Sequence, residues 1–250
     1  YEELKSLDQM KDEFVSNVTH ELKTPLISIK GYSEIMYEGM LGELNERQLH
    51  GLKVIVSNSE RLYSLIESLL QMNALQFKKE HIFSPLCLTD VLENAINSLS
   101  LKVEEKGMSL DQKYAKNMRF VYGNTEILKQ LFVSLLDNAV KFSPKSGSIG
   151  ISAYEEKEWM HIEVSDGGVG IPENHLPRIF ERFYQVDGSM SRSYGGNGLG
   201  LYLSKNIVEV HGGRIWIEST EGVGTTVHVL LPIYTEKNEN MERVLVGNVT

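Results

Sequence analysis

The chain has 250 residues, 41% of them hydrophobic, enough for one large domain or two smaller ones with real cores. A formal net charge of −9 argues against nucleic acid or an anionic membrane surface as the main partner. Cys87 is the single cysteine, which excludes a disulfide framework and fits a reducing, cytoplasmic setting. No apolar run approaches the roughly 18 to 20 residues needed to span a bilayer. The chain begins at Tyr1 rather than Met, so it is expected to be a segment of a longer protein whose remainder can still be membrane-bound.

In chain order, Leu4, Leu7, Phe14 and Val18 follow a 3-4 heptad rhythm interrupted by Lys11, which predicts a parallel coiled coil running into His20. The helix continues through Leu22, Leu26, Ile29 and Ile35; Pro25 inside it removes one backbone hydrogen bond and is expected to bend it. A turn over residues 39–45 follows, with Asn45 as N-cap. A second helix then presents Leu49, Leu52, Ile55, Val56, Leu62, Leu65, Ile66, Leu69 and Leu70. Two such amphipathic helices cannot bury a complete core alone, so a homodimeric four-helix bundle is expected.

The pattern changes near Phe77 to Pro85. The expected division is 1–78 for the coiled-coil entry and helical hairpin, 79–236 for a second domain, and 237–250 for a polar tail or the start of a truncated segment. Helices are predicted over 88–106 and 125–142, and antiparallel-looking strands over 148–153, 160–165, 214–219 and 225–231. The fold class is α+β: an antiparallel helical hairpin that dimerises into a four-helix bundle, followed by an α/β sandwich with one sheet covered by helices.

Four segments carry chemistry. His20 is followed at once by Glu21 and then by Lys23-Thr24-Pro25 on a predicted helix, a pattern that suits a histidine receiving phosphate. On the 125–142 helix, Ser134, Asn138 and Lys141 share one face. There the Asn138 amide oxygen suits Mg2+, a hard cation, and Lys141 adds charge for phosphates. Taken singly, this is equally an ordinary amphipathic helix. Asp166-Gly167-Gly168-Val169-Gly170 follows a strand, where a carboxylate can accept the exocyclic amine of adenine and glycines let the backbone approach the ring; singly, it is equally an acidic turn.

Gly195-Gly196-Asn197-Gly198-Leu199-Gly200-Leu201 feeds a helix N-terminus, a source of unpaired N–H groups for phosphate. No strand precedes it and no Lys-Ser/Thr pair ends it, so neither a dinucleotide fold nor a P-loop is expected. The serine-rich stretch 187–194 suits a mobile lid, and Arg192 within it can reach phosphates. His50, His81, His161, His175, His211 and His228 lack such a box, and no pair shows metal-ligand spacing.

Together, over about residues 5–233, these motifs resemble the sensor histidine kinases of two-component signalling. Phe14 to Pro25 is similar to the H box, Asn138-Ala139-Val140-Lys141-Phe142 to the N box, and Asp166 to Gly170 to the first glycine box. Phe180-Glu181-Arg182-Phe183 resembles the F box and Gly196 to Gly200, with Leu199, the second glycine box. Gly224-Thr225 is similar to the strand-end pair that closes the ATP pocket.

The resemblance implies a dimerisation and phosphoacceptor bundle followed by an ATP-binding sandwich of the kind shared with gyrase B and mismatch-repair ATPases. It further implies ATP and Mg2+ as cofactors, a response-regulator receiver domain as partner, and an upstream sensor domain outside this chain. His20 would attack the γ-phosphate, Glu21 would manage the imidazole proton, and Thr24 would orient water for hydrolysis of the regulator's phosphoaspartate. Two positions depart from the family pattern: Ser134 stands where an asparagine is common, and Gln185 where an arginine is common. A phosphatase-biased module with weak kinase activity, or a free-standing gyrase-type ATPase, is therefore the rival expectation.

Overall fold

The computed structural model describes residues 2–76, 82–186 and 198–235 of the chain. Within the helices, the side chains of residues 2–17, His20, Leu69 and 71–76 lie outside that description. The chain divides into two compact units, one holding the helical hairpin to Gln76 together with Gly198 and Leu199, the other the α/β elements from Phe77 onward.

In the hairpin, α1 (Glu2–Tyr37) runs as one helix through Pro25, and α2 (Glu46–Gln76) returns beside it. Asn45 caps α2 as its sequence foretells. Its Oδ1 accepts from the Gln48 N–H at 3.0 Å while Gln48 Oε1 accepts from the Asn45 N–H at 2.9 Å, a reciprocal capping box. The heptad positions Leu4, Leu7 and Phe14 lie outside the described side chains. Among the described side chains, burial inside one hairpin takes Thr19, Leu26 and Ser33 on α1 and Leu52, Ser59 and Ile66 on α2, each set spaced by seven residues. A second stripe stays open, with Leu22 50% and Ile29 51% exposed on α1, and Ile55 45% and Leu62 46% exposed on α2. Lys23 Nζ ties the two helices by an ion pair to Glu67 and stands 5.4 Å from the Tyr63 ring centroid.

The α/β unit contains β1 (Ser84–Leu86), α3 (Leu88–Asn97), α4 (Ser100–Glu105), β2 (Ser109–Tyr114), β3 (Val121–Gly123), α5 (Thr125–Phe142), β4 (Ser148–Glu156) and β5 (Trp159–Asp166). A 3-10 turn over Glu173–Arg178, α6 (Gly200–Val210), β6 (Arg214–Thr220) and β7 (Gly224–Pro232) complete it. The main sheet has the order β2-β4-β5-β7-β6, and β1 pairs with β3 in a two-stranded sheet. Alternation along β4, β5 and β7 buries Ile149, Ile151, Ala153, Met160, Ile162, Val164, Val227, Val229 and Leu231. Against that face pack the apolar sides of α5 and α6, with α3 on α5. The fold is thus α+β, a helical hairpin followed by a sheet with helices on one face.

One expectation changes and two features are added. The single helix predicted over 88–106 is two helices, broken at Ser98 and Leu99. Side chains compete there for backbone carbonyls: Ser98 Oγ donates to Asn94 O at 2.8 Å and Ser100 Oγ to Asn97 O at 3.0 Å. The four forecast strands pair antiparallel as expected, and the unforecast β2, parallel to β4, makes the sheet mixed. β1, β2 and β3 had no forecast: β1 and β3 have three residues each, and β2 is largely exposed, so none shows a hydrophobic alternation.

Lys106 fastens the end of α5. Its Nζ donates to Val140 O at 2.6 Å, Ser143 O at 2.9 Å and Lys141 O at 3.1 Å, carbonyls that a helix C-terminus leaves without partners. Lys106→Met keeps the stem and removes the charge. It should cost about 2 kcal/mol, lowering the melting temperature of a domain this size by about 4 to 8 °C in a thermal scan. An unchanged midpoint would show that water serves those carbonyls equally well.

Candidate nucleotide site

The site is built around α5. Asn124 starts the helix, its Oδ1 accepting from the Ile127 N–H at 3.1 Å. Ile127, Leu128, Leu131, Phe132, Leu135, Leu136, Ala139 and Val140 then occupy the buried side, which turns Ser134, Asn138 and Lys141 elsewhere. Gly200, the first residue of α6, comes so close that a β-carbon there would stand 3.2 Å from Ser134 Oγ and 3.8 Å from Asn138 Nδ2. The N-terminus of α6, a helix end of the kind that receives anions, is therefore set against the polar side of α5. Gly198 (φ +68°) and the fully buried Leu199 lead into that turn.

Asp166 ends β5 opposite Thr225 of β7. Its Oδ1 accepts from the Gly168 N–H at 2.8 Å, and the Thr225 backbone also hydrogen-bonds the carboxylate. Burial pushes the Asp166 carboxyl above its ordinary pKa; the two backbone hydrogen bonds oppose that shift without cancelling it. A half-buried acceptor that retains lone-pair capacity suits an exocyclic amine.

Around it the chain turns through glycines for steric reasons. At Gly168 a β-carbon would lie 2.6 Å from Phe142 O, so this turn rests on the end of α5. Gly170 has φ +66°, and a β-carbon there would lie 2.0 Å from Thr220 O. Ser219 stitches the turn to the strand ends: its Oγ accepts from the Ile171 N–H at 2.8 Å, donates to Gly224 O at 2.8 Å, and lies 2.9 Å from Thr225 Oγ1. Gly170→Val combines the backbone strain of a left-handed conformation with direct overlap. About 3 to 5 kcal/mol of destabilisation is expected, measured by denaturant unfolding of the purified chain. A variant as stable as the parent would mean that the turn can move away from β6.

The cationic groups are held in different ways. Burial lowers the pKa of Lys141, with Asp137 opposing the shift, and its Nζ lies 4.8 Å from the Phe142 ring centroid. Arg182 is exposed; its Nη2 donates to Tyr202 OH at 2.6 Å and its guanidinium lies 4.6 Å from the Tyr202 ring centroid. Phe183 is 59% exposed at φ +62°. Arg192 and Gly196 lie outside the described residues, as does the stretch expected to form a lid. His20 is helical within α1, its side chain outside the description, while Glu21 and Thr24 are exposed on the same helix.

Asn138, Phe142, Asp166, Gly168, Gly170, Gly200 and Thr225 thus meet around one end of α5, in a single unit. Local motifs did not reveal Ser219, Lys106 or Tyr202, whose partners are distant in sequence or joined through the backbone. Nor did spacing reveal that His161 and His228 meet. Pairing of β5 with β7 brings His161 Nε2 to 3.1 Å from His228 Nδ1 across a separation of 67 residues, a meeting outside the reach of any sequence spacing.

The geometry has counterparts among known proteins. Residues 123–235 match the family described as histidine kinase-, DNA gyrase B- and HSP90-like ATPase, and residues 10–77 match the His Kinase A (phospho-acceptor) domain. The circadian input-output histidine kinase CikA of Synechococcus elongatus is 36% identical over 90% of the chain, and the sensor histidine kinase WalK of Bacillus subtilis 34% identical over 95%. The chain spans 30% and 39% of the lengths of those two relatives. The full-length structure of ShkA in complex with AMPPNP superposes with a TM-score of 0.70 at 23% identity, over 89% of this chain and 46% of that one. The mycobacterial sensor histidine kinase MprB superposes with a TM-score of 0.53 at 26% identity, over 61% of this chain and 98% of that one.

Proposed function

We propose, for a chain that belongs to the sensor histidine kinases of two-component signalling, that ATP phosphorylates His20 and that His20 passes the phosphoryl group to an aspartate of a response-regulator receiver domain. What carries the reading is the meeting of Asp166, the glycine turn and the N-terminus of α6 around α5, in one chain with a hairpin bearing His20-Glu21-Leu22-Lys23-Thr24-Pro25. Neutral imidazole is a competent nucleophile near pH 7. His20 Nε2 forms a bond to the γ-phosphorus as the bond to the β,γ-bridging oxygen breaks, and ADP leaves with that electron pair. Glu21 holds the Nδ1 proton and offsets the charge that develops on the ring. Asp166 accepts the adenine amine, while Lys141 and Arg182 supply positive charge toward the phosphates.

Asn138, half-buried beside Gly200, offers the hard oxygen donor that Mg2+ takes, so the residues present fit that ion. When bound, Mg2+ neutralises charge on the phosphate oxygens. In the second half-reaction a receiver carboxylate oxygen attacks the phosphorus and His20 is released. Thr24, one turn beyond His20, orients water for the reverse signal, hydrolysis of the regulator's phosphoaspartate.

The open stripe through Leu22, Ile29, Ile55 and Leu62 supports a homodimer, in which a second hairpin covers it. We place the reaction in the cytoplasm, where ATP is available, with a sensor region elsewhere in the longer protein. The test is incubation with γ-labelled ATP and Mg2+. Acid-labile, alkali-stable label on the protein supports the reading; alkali-labile or acid-stable label overturns it.

One observation favours a phosphatase-biased variant of this scheme. Ser134 lies against Gly200, where its short hydroxyl serves helix packing, and Gln185 adds no charge. Negligible label together with rapid dephosphorylation of a phosphorylated receiver domain would select that variant.

A further inference from the structure

The sheet face turned away from the helices carries a second chemical cluster. His161 and Glu163 are two residues apart on β5, so they share that face, and Glu163 stands opposite His228 of β7. His161 Nε2 lies 3.1 Å from His228 Nδ1, and Glu163 Oε1 lies 3.9 Å and 3.6 Å from those two nitrogens. Both rings are buried despite facing outward, at 6% and 8% exposure. Trp216 of β6 covers His228 in a flat stack, 4.7 Å between centroids at 5°. Mutual hydrogen bonding satisfies one nitrogen of each ring but leaves His228 Nε2 buried with no hydrogen-bond partner, since Glu218 Oε2 is 3.9 Å away. The atoms that converge on one another are His161 Nε2, His228 Nδ1 and Glu163 Oε1, with the orphaned Nε2 of His228 on the other edge of its ring.

We propose that His161, His228 and Glu163 form a site for a borderline-soft divalent ion, of which Zn2+ is the type. The point equidistant from the three donor atoms lies about 2.1 Å from each, the length of Zn–N and Zn–O bonds. The donor set of two imidazoles and a carboxylate leaves a fourth position to solvent. Supporting contacts of the kind that orient metal ligands are in place. Ser152 Oγ donates to Glu163 Oε2 at 3.0 Å, Tyr154 OH donates to Glu163 Oε1 at 2.9 Å, and His161 Nδ1 faces Glu156 Oε2 at 3.3 Å. Glu156 and Glu218, with side chains 56% and 73% exposed, give an approaching cation a negatively charged entry. The site clips β5 to β7 three residues before Asp166, where the same two strands present the nucleotide carboxylate and Thr225.

The test uses the full chain in chelator-treated buffer without nucleotide. Zn2+ is titrated calorimetrically, and Co2+ is titrated by visible absorption as a reporter of coordination. One ion per chain is expected, with the intense d–d bands of a four-coordinate Co2+ complex that excess Mg2+ does not displace. Glu156→Gln, which removes a supporting carboxylate, should weaken binding by about 10-fold; His228→Gln and Glu163→Gln, which remove ligands, should each weaken it by more than about 100-fold. ATP-analogue binding confirms that each variant is folded. Absence of stoichiometric Zn2+ binding overturns the proposal, as does binding of undiminished affinity in folded His228→Gln and Glu163→Gln.

Discussion

Replacing His20 with glutamine is expected to eliminate all acid-labile label while leaving affinity for an ATP analogue unchanged. Glutamine favours a helix at least as well as histidine, so α1 retains its backbone through this position. Its amide nitrogen is not a nucleophile, because its lone pair is delocalised into the carbonyl. The effect on labelling is therefore total rather than graded, and no other residue of the H box supplies a replacement. The residues that meet around α5 all lie in the α/β unit, so nucleotide affinity reports on a part of the chain that the substitution does not alter. Labelling on a denaturing gel, with analogue binding by fluorescence, separates the two quantities. Label that persists in the variant would move the acceptor away from His20.

The second large effect falls on Asp166. Two backbone N–H groups, from Gly168 and Thr225, already point at its carboxylate, and the proposed function gives its other acceptor capacity to the adenine amine. An asparagine has one acceptor oxygen, so its amide N–H2 would face a donor somewhere in that set. Losing one charge-assisted hydrogen bond costs about 1.5 to 3 kcal/mol, so Asp166→Asn should weaken ATP-analogue binding by about 10- to 150-fold. A calorimetric titration that finds undiminished affinity would remove Asp166 from adenine recognition.

The pH dependence has two opposite signs. On the proposed role of Asp166, nucleotide binding needs the ionised carboxylate; burial raises its pKa above its ordinary value, so affinity is expected to fall on acidification at a higher pH than an unperturbed aspartate would give. The nucleotide-free protein behaves the other way. A carboxyl whose folded pKa exceeds its unfolded one contributes stability that is fully present below the unfolded pKa and is lost as pH rises through the folded value.

What could be read in advance depended on the range of the interactions involved. α5 was legible from Thr125 to Phe142, because its apolar spacing is a local feature, and the four forecast strands were located to within three residues at their ends. The break after Asn97 was missed because it depends on serine hydroxyls choosing backbone carbonyls, a competition that periodicity does not register. Asp166, Gly168, Gly170 and Gly200 were singled out because their residue types meet backbone constraints that act over a few positions. Lys106 at the end of α5, Tyr202 beneath Arg182 and His228 beside His161 gain their meaning from partners 34, 20 and 67 residues away. No short window contains such pairs.

The strand that escaped notice has a consequence of its own. β2 borders the main sheet and, among the described residues, pairs only with β4, so its outer rim of amides and carbonyls is a template on which another chain's strand can add. Its sequence, Ser109-Leu110-Asp111-Gln112-Lys113-Tyr114, has little apolar surface to reward such an addition, and it carries an Asp111–Lys113 ion pair at 2.8 Å. A newcomer strand would have to strip water from those charges. The composition that hides β2 from a hydrophobicity search thus guards the sheet against growing into aggregates.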